Sequence, residues 1–209
     1  MSKLMAYFNN FFWLISTYLL SPLFFVLIFL QKRDKRPAKI LVVSPARIGD
    51  LACITPIFRE IKKNFPSCHL SVITISDSQD LLKNNPHIDE IISVTDYDSI
   101  VKKIGLISRL RQTRYDWAVT PSPINAFIDV ISFWALIPER AITTHKDLGE
   151  MHKLAVIFNN RRLAFQKNTL VLRHCLELLK FFGIKEYSEQ KEIFIRPEES
   201  AKASYFLQK

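Results

Sequence analysis

The chain has 209 residues, 48% of them hydrophobic, and a formal net charge of +9. One α/β domain with an extension fits that length, and a substantial core is within reach. The cationic excess points to an anionic partner, but no helix-turn-helix, RNP-like motif or zinc spacing accompanies it, so a membrane surface or phosphorylated sugars are favoured and nucleic acid is set aside.

No charged residue occurs from position 4 to position 31. Residues 11–30 are twenty almost uniformly apolar positions, long enough at about 1.5 Å per residue to cross a bilayer core of about 30 Å. Trp13 and Tyr18 suit an interface. Lys3 is the only charge ahead of this run, whereas Lys32, Arg33, Lys35, Arg36 and Lys39 follow it. By the positive-inside rule the remainder faces the cytoplasm, and the run is too long and too cationic behind for a cleaved signal peptide. Residues 1–31 are therefore expected to be a membrane anchor and 32–38 a basic linker. Ser21-Pro22 leaves open a kinked span or a shallow re-entrant hairpin.

Residues 39–66 read KILVVSPARIGDLACITPIFREIKKNFP. The run Ile40, Leu41, Val42, Val43 predicts a strand, and a loop with Pro45 and Gly49 follows. From Asp50 the apolar spacing (Leu51, Ile54, Ile57, Phe58, Ile61, Phe65) predicts an amphipathic helix stopped by Pro66. Pro56 predicts a kinked or separate first turn. Asp50 sits where a cap or first-turn residue belongs, worth roughly 0.5–2 kcal/mol in that role alone. It also lies at the carboxyl end of a strand, where open α/β sheets bind ligands, so a proton-accepting role is the rival reading.

Further on, strands are predicted at 69–75 and 90–94 with a short helix at 77–85 between them. A helix at 98–111 carries Ile100, Val101, Ile104, Ile107 and Leu110 on one face. Its cations Lys102, Lys103, Arg109 and Arg111, with Arg114 beyond, suit acidic lipid, an acceptor phosphate, or a plain solvated face. A strand at 115–120 ends in Pro121, Ser122 and Pro123, which could wall a cleft or only restrain the chain. A buried helix at 124–136 places Asp129 at a polar edge. A strand at 140–143 leads to a polar loop with His145 and His152, which lack a metal-ligand pattern. Arg161 and Arg162 follow an Asn-Asn turn. A helix at 169–182, containing His174 in a structural role, is capped by Gly183. A last strand is predicted at 191–196, and a helix from Pro197 onward. Cys53, Cys68 and Cys175 are widely spread and expected to be free thiols in a reducing compartment.

The ordered series of an ILVV-type strand, Gly49-Asp50, Thr55-Pro56, a basic amphipathic helix, Asn85-Pro86 with Ile88-Asp89 before a strand, Pro138-Glu139-Arg140, and a late helix through His174 and Cys175 resembles the N-terminal domain of glycosyltransferase family 9, the lipopolysaccharide heptosyltransferases. The resemblance covers about residues 39–196. It implies an α/β fold: a Rossmann-like parallel sheet flanked by helices, the N-terminal half of a GT-B architecture, here preceded by the anchor helix. It implies sugar transfer from a nucleotide-sugar, with ADP-heptose a candidate, to a lipid-linked acceptor during bacterial surface-polysaccharide assembly at the cytoplasmic face of the inner membrane. Asp50 takes the role of general base, and Arg47, Gly49 and Thr55 would shape the acceptor site. No metal or resident cofactor is implied.

In such enzymes a second domain holds most of the donor. This chain has four glycines and neither a G-x-G-x-x-G nor a P-loop to cradle a diphosphate. Residues 197–209 are accordingly expected to open an interdomain helix, with the donor domain missing or supplied separately. The rivals are a non-catalytic membrane-bound acceptor-binding or scaffold domain, and an unrelated α/β domain binding a nucleotide near Asp50.

Overall fold

The computed structural model describes residues 3–31, 36–95, 99–145, 149–196 and 198. In chain order the elements are α1 (Lys3–Phe29), β1 (Lys39–Val43), α2 (Ile48–Asn64), β2 (His69–Ile75), β3 (Glu90–Val94), α3 (Ile100–Thr113), β4 (Trp117–Thr120), α4 (Ala126–Trp134), β5 (Glu139–Thr144), α5 (Glu150–Ala155), β6 (Arg161–Ala164) and α6 (Val171–Glu177). Short 3-10 turns occupy Ser76–Leu81, Val156–Phe158 and Leu178–Phe182. The six strands form one sheet in the order β3-β2-β1-β4-β5-β6, and every pairing is parallel. This is the Rossmann-like order, in which the chain reverses direction across the sheet between β1 and β4.

The continuous apolar run of β1 has a direct cause. Ile40 and Val42 face α2 and α6, whereas Leu41 and Val43 face α3 and α4. A parallel sheet is covered on both sides, so its central strands carry no polar face. β1, β2 and β3 form as the sequence predicts, and Gly183 ends the late helical segment with φ 84°.

Five expectations need correction. β6 (Arg161–Ala164), for which the sequence offered only paired basic residues after an Asn-Asn turn, pairs with β5. Its charges are those of an edge strand, and they hid the alternation. Residues 191–196, predicted as a strand, join no sheet, and Ile193 and Ile195 are 55% and 63% exposed. That stretch is instead fastened across α2. The Arg59 guanidinium donates to the carbonyls of Ser188 and Gln190 at 2.9 and 3.0 Å and to Glu192 at 2.5 Å. The helix expected at 77–85 is only the 3-10 turn Ser76–Leu81. On α3 the buried positions are Lys103, Ile107 and Leu110, while Ile100, Val101 and Ile104 are exposed. Lys103 tolerates burial because its ammonium donates to Asn9 of α1 at 3.0 Å and lies 4.7 Å from the Phe127 ring centre. Finally, Asp129 is buried rather than at a polar edge. The predicted helix from Pro197 falls almost wholly outside the described residues, as does most of the basic linker.

Two prolines lie inside helices, and neither interrupts one. Pro22 and Pro56 each deprive the carbonyl four residues earlier of its N–H donor. In both cases the preceding hydroxyl takes over: Ser21 Oγ donates to the Tyr18 carbonyl at 2.8 Å, and Thr55 Oγ1 to the Ala52 carbonyl at 3.0 Å. The carbonyl that each proline leaves without an N–H donor is thereby satisfied. Thr55 Oγ1 also accepts from the Glu192 N–H at 3.2 Å, so it joins α2 to the strap at 188–192.

α1 lies along the domain. Trp13, Thr17, Phe24 and Ile28 recur at helical spacing and are buried. Trp13 meets Phe127 and Trp134 at 4.9 and 5.0 Å between ring centres, and the Trp134 indole donates to Thr17 Oγ1 at 2.7 Å. The Tyr18 hydroxyl donates to the Leu154 carbonyl, and Gln31 to the Leu136 carbonyl, both at 3.1 Å.

A buried ion pair ties α4 to α5. His152 Nδ1 donates to Asp129 Oδ2 at 2.6 Å, and Asp129 Oδ1 has no partner among the described residues. Burial pushes the Asp129 carboxyl above its ordinary range against the pull of His152, and the bond to Asp129 raises the imidazole. Both shifts have the same sign for stability. A raised histidine contributes fully below its unfolded pKa of about 6.5, and that contribution is lost as pH climbs through the folded value. A raised carboxyl likewise favours the protonated fold.

Two outcomes follow. Thr55→Val keeps the shape but removes a donor and an acceptor, so urea melts should show a loss of about 1–3 kcal/mol. The native chain should also lose stability between pH 6 and pH 9, with a slope of up to about 1.4 kcal/mol per pH unit from the His152 proton. Asp129→Asn should remove that component, and melts showing the same slope in both chains would break the assignment.

Candidate active site

The topological reversal lies between β1 and β4, so the loops leaving their carboxyl ends flank one crevice. On the β1 side, Ser44 extends the ladder by donating its N–H to the Ile73 carbonyl at 3.0 Å. Ser44, Pro45 and Ala46 are buried, and then Arg47, Ile48, Gly49 and Asp50 emerge together into solvent. On the β4 side, residues 121–125 lead into α4, whose N-cap Asn125 accepts from the Ile128 N–H at 3.0 Å. That cap fixes the opposite wall.

α2 begins earlier than its apolar spacing suggests. Arg47 is the N-cap residue in extended conformation, with no side-chain cap bond, and Leu51 N–H donates to its carbonyl at 2.9 Å. Asp50 is therefore a first-turn residue rather than the cap itself. Its carboxylate sits beside free helix amides and the positive end of the helix dipole. Among the described residues neither the Asp50 carboxylate nor the Arg47 guanidinium has a hydrogen-bond or ion-pair partner, so an anion and a cation stand open on one turn. Gly49 adds space: a side chain there would meet nothing within 4 Å. The charge of Asp50 is also felt inward. Burial, with Cys53 and Asp50 adding, pushes the Cys175 thiol up to about 12.

The structure brings Arg47, Gly49 and Asp50 together on one exposed turn, and it separates Thr55 from them. Thr55 is buried, and its hydroxyl is committed to Ala52 and Glu192. Of the histidines, His145 stacks on Phe165 at 4.6 Å, and His152 is held by Asp129. His174 is buried, which lowers its pKa. No group of three or more metal-ligating side chains occurs among the described residues. The cysteines are free, with Cys68 and Cys175 buried.

Sequence reasoning missed a second hollow, of about 450 Å³, at the carboxyl ends of β5 and β6. Its walls include His145, Lys153 and Arg162, but most of its lining surface is apolar, from residues such as Val156, Ile157 and Ala164. The paired arginines were the available signal, but without β6 they had no place in the sheet.

No family model matches the chain. Over 106 residues it is 30% identical to lipopolysaccharide heptosyltransferase 2 of Salmonella typhimurium, a match covering 49% of this chain and 30% of that protein. Among solved structures it superposes on a glycosyl transferase family 9 protein from Veillonella parvula with a TM-score of 0.69 at 19% identity, over 85% of this chain and 51% of that one. It superposes on the E. coli ADP-heptose lipopolysaccharide heptosyltransferase II with a TM-score of 0.62 at 18% identity, over 81% and 50%. The chain thus spans about half the length of these structures. Over that half, its fold is the heptosyltransferase-like fold of glycosyltransferase family 9.

Proposed function

We propose that the chain is the acceptor-side part of a heptosyltransferase-type glycosyltransferase, with Asp50 as general base. The observation that carries this reading is the exposed, unpartnered Asp50 carboxylate on the first turn of α2, at the switch crevice of a family 9 fold. On this reading an acceptor hydroxyl lies against Asp50 and gives up its proton to the carboxylate as its oxygen attacks the anomeric carbon of the donor. The bond from that carbon to the nucleoside diphosphate breaks, and the leaving group departs with the electron pair. Arg47 supplies an anion contact at the same turn, Gly49 leaves room for the acceptor, and Thr55 satisfies the carbonyl that Pro56 leaves free in the helix that presents Asp50.

The donor is a nucleotide-sugar, with ADP-heptose the first candidate because a structural neighbour is named for it. Its binding falls to a second domain, as the coverage of about half of each neighbour suggests. The acceptor is a lipid-linked saccharide of bacterial lipopolysaccharide assembly, met at the cytoplasmic face of the inner membrane. No metal enters this scheme. The second reading, a non-catalytic acceptor-binding or scaffold domain, is favoured by the lack of a diphosphate-cradling glycine loop in the sequence.

Calorimetric titration of the detergent-solubilised chain with nucleotide-sugars, ADP-heptose included, tests where the donor is held. Saturable binding would place a donor site within this chain, whereas a folded sample that binds none would leave the acceptor-side role. In a transfer-competent assembly, Asp50→Asn should lower kcat by about 10²–10⁴ with the fold retained. Arg47→Ala should mainly raise the acceptor KM. Full transfer by Asp50→Asn would remove the base assignment.

A further inference from the structure

We infer that α1 is an in-plane membrane anchor: it lies in one leaflet of an anionic bilayer with the domain on the same side, and it does not cross. This holds for an enzyme or a scaffold alike, so it does not depend on the transfer reading.

The apolar stretch Phe8–Phe29 is 22 residues long with mean hydropathy 2.1, enough to span by length alone at about 33 Å. Its contacts argue otherwise. From Asn9 near one end to Gln31 just past the other, α1 is bonded to α3, α4 and α5 of the domain or to the residues that follow them. A helix crossing the bilayer would have to leave this seam and expose Phe127, Phe133 and Trp134 to water. Held in the seam, it still turns an apolar face outward: Leu19 is 76% and Phe29 82% exposed, and within the stretch only Trp13, Leu14, Thr17, Phe24 and Ile28 are buried. A surface of that size on a water-soluble body marks a binding face.

The face extends beyond α1, which a self-contained span would not need. On α3, Val101 is 79% exposed and Ile104 is also exposed. Ile104 shares the flank of α3 from which Arg111 reaches the Trp134 carbonyl, the flank turned toward α4 and α1. On the other side Leu154 and Ile157 are exposed beside Tyr18 and its partner ring Phe158. Three elements thus present apolar side chains around one helix, as a monotopic surface does.

Charge selects the leaflet. At the carboxyl end of α1 a hollow of about 790 Å³ is lined by Leu27 and Gln31 with Arg111 and Arg114. Arg111 is half-buried, sits 5.0 Å from the Phe24 ring centre, and has no carboxylate partner among the described residues. Two carboxylates also border the hollow, but Asp116 accepts from the Ala38 and Lys39 amides at 2.7 and 2.8 Å, and Glu139 bonds Arg161 at 3.4 Å. The exposed Arg114, with the half-buried Arg111 beside it, suits lipid phosphate, and Lys32, Arg33, Lys35 and Arg36 follow in the sequence.

The test is the sidedness of two cysteines introduced into the full chain, Ser2→Cys ahead of α1 and Lys185→Cys on the domain. Each is probed with a membrane-impermeant maleimide in right-side-out and inverted vesicles, and labelling is scored above that of the unsubstituted chain. Both should react on the same side. Reaction on opposite sides would mean that α1 spans and would overturn the proposal. A chain recovered in the soluble fraction would overturn it too, by showing that protein rather than lipid covers the face. As a second measurement, Val101→Lys with Ile104→Lys, checked for native circular dichroism, should lower flotation with phosphatidylglycerol-containing vesicles at least tenfold. Flotation unchanged by these lysines would also overturn it.

Discussion

The molecule depends on the dryness of β1. Four consecutive apolar residues leave that strand no face to show water, so helices must cover both sides of the sheet and the connections must cross over. From this the strand order follows, and with it the reversal between β1 and β4 that opens a crevice at their carboxyl ends. Asp50 is exposed because it stands on the first turn after that strand, where the chain must leave the core. Its openness is a property of the fold's centre, although it looks like a surface accident when the helix is considered alone.

The same apolar chemistry serves two different solvents in α1. Trp13 and Phe24 face aromatic side chains of α4, while Leu19 and Phe29 face away from the protein. A soluble amphipathic helix marks its outer face with charge, so its two sides can be told apart from the sequence. Here both sides are hydrocarbon, and the stripe that docks has the composition of the stripe that does not. Asn9, Thr17, Tyr18 and Gln31 hint at the seam, each through a hydrogen bond to the domain or to its Trp134 indole.

What the sequence revealed follows the same physics. β1, β2 and β3 were legible because they are bounded by charge, turn residues or proline, and the first turn of α2 was legible through Gly49 and Asp50. β6 was not, because an edge strand of arginines has no periodicity to read, and residues 191–196 misled through an alternation that no neighbouring strand uses. Burial of Lys103 and Asp129 was invisible for a different reason. Each charge is acceptable only beside a partner from a distant element, Asn9 for one and His152 for the other. Arg47, Gly49 and Asp50 could be grouped from sequence because they lie on one turn. The hollow beside Arg162 could not, since it needs β5, β6 and α5 placed together.

The hydroxyl of Thr55 has a mechanical meaning. It closes the gap that Pro56 leaves in α2 and, through its other side, holds the strap that crosses the helix near Glu192. Arg59 and Glu60 clamp the same strap one turn further on. Asp50 thus stands on the first turn of the same helix whose shaft carries the fastening of the strap, so a pull on residues 188–192 is felt by that helix at Thr55, Arg59 and Glu60 together.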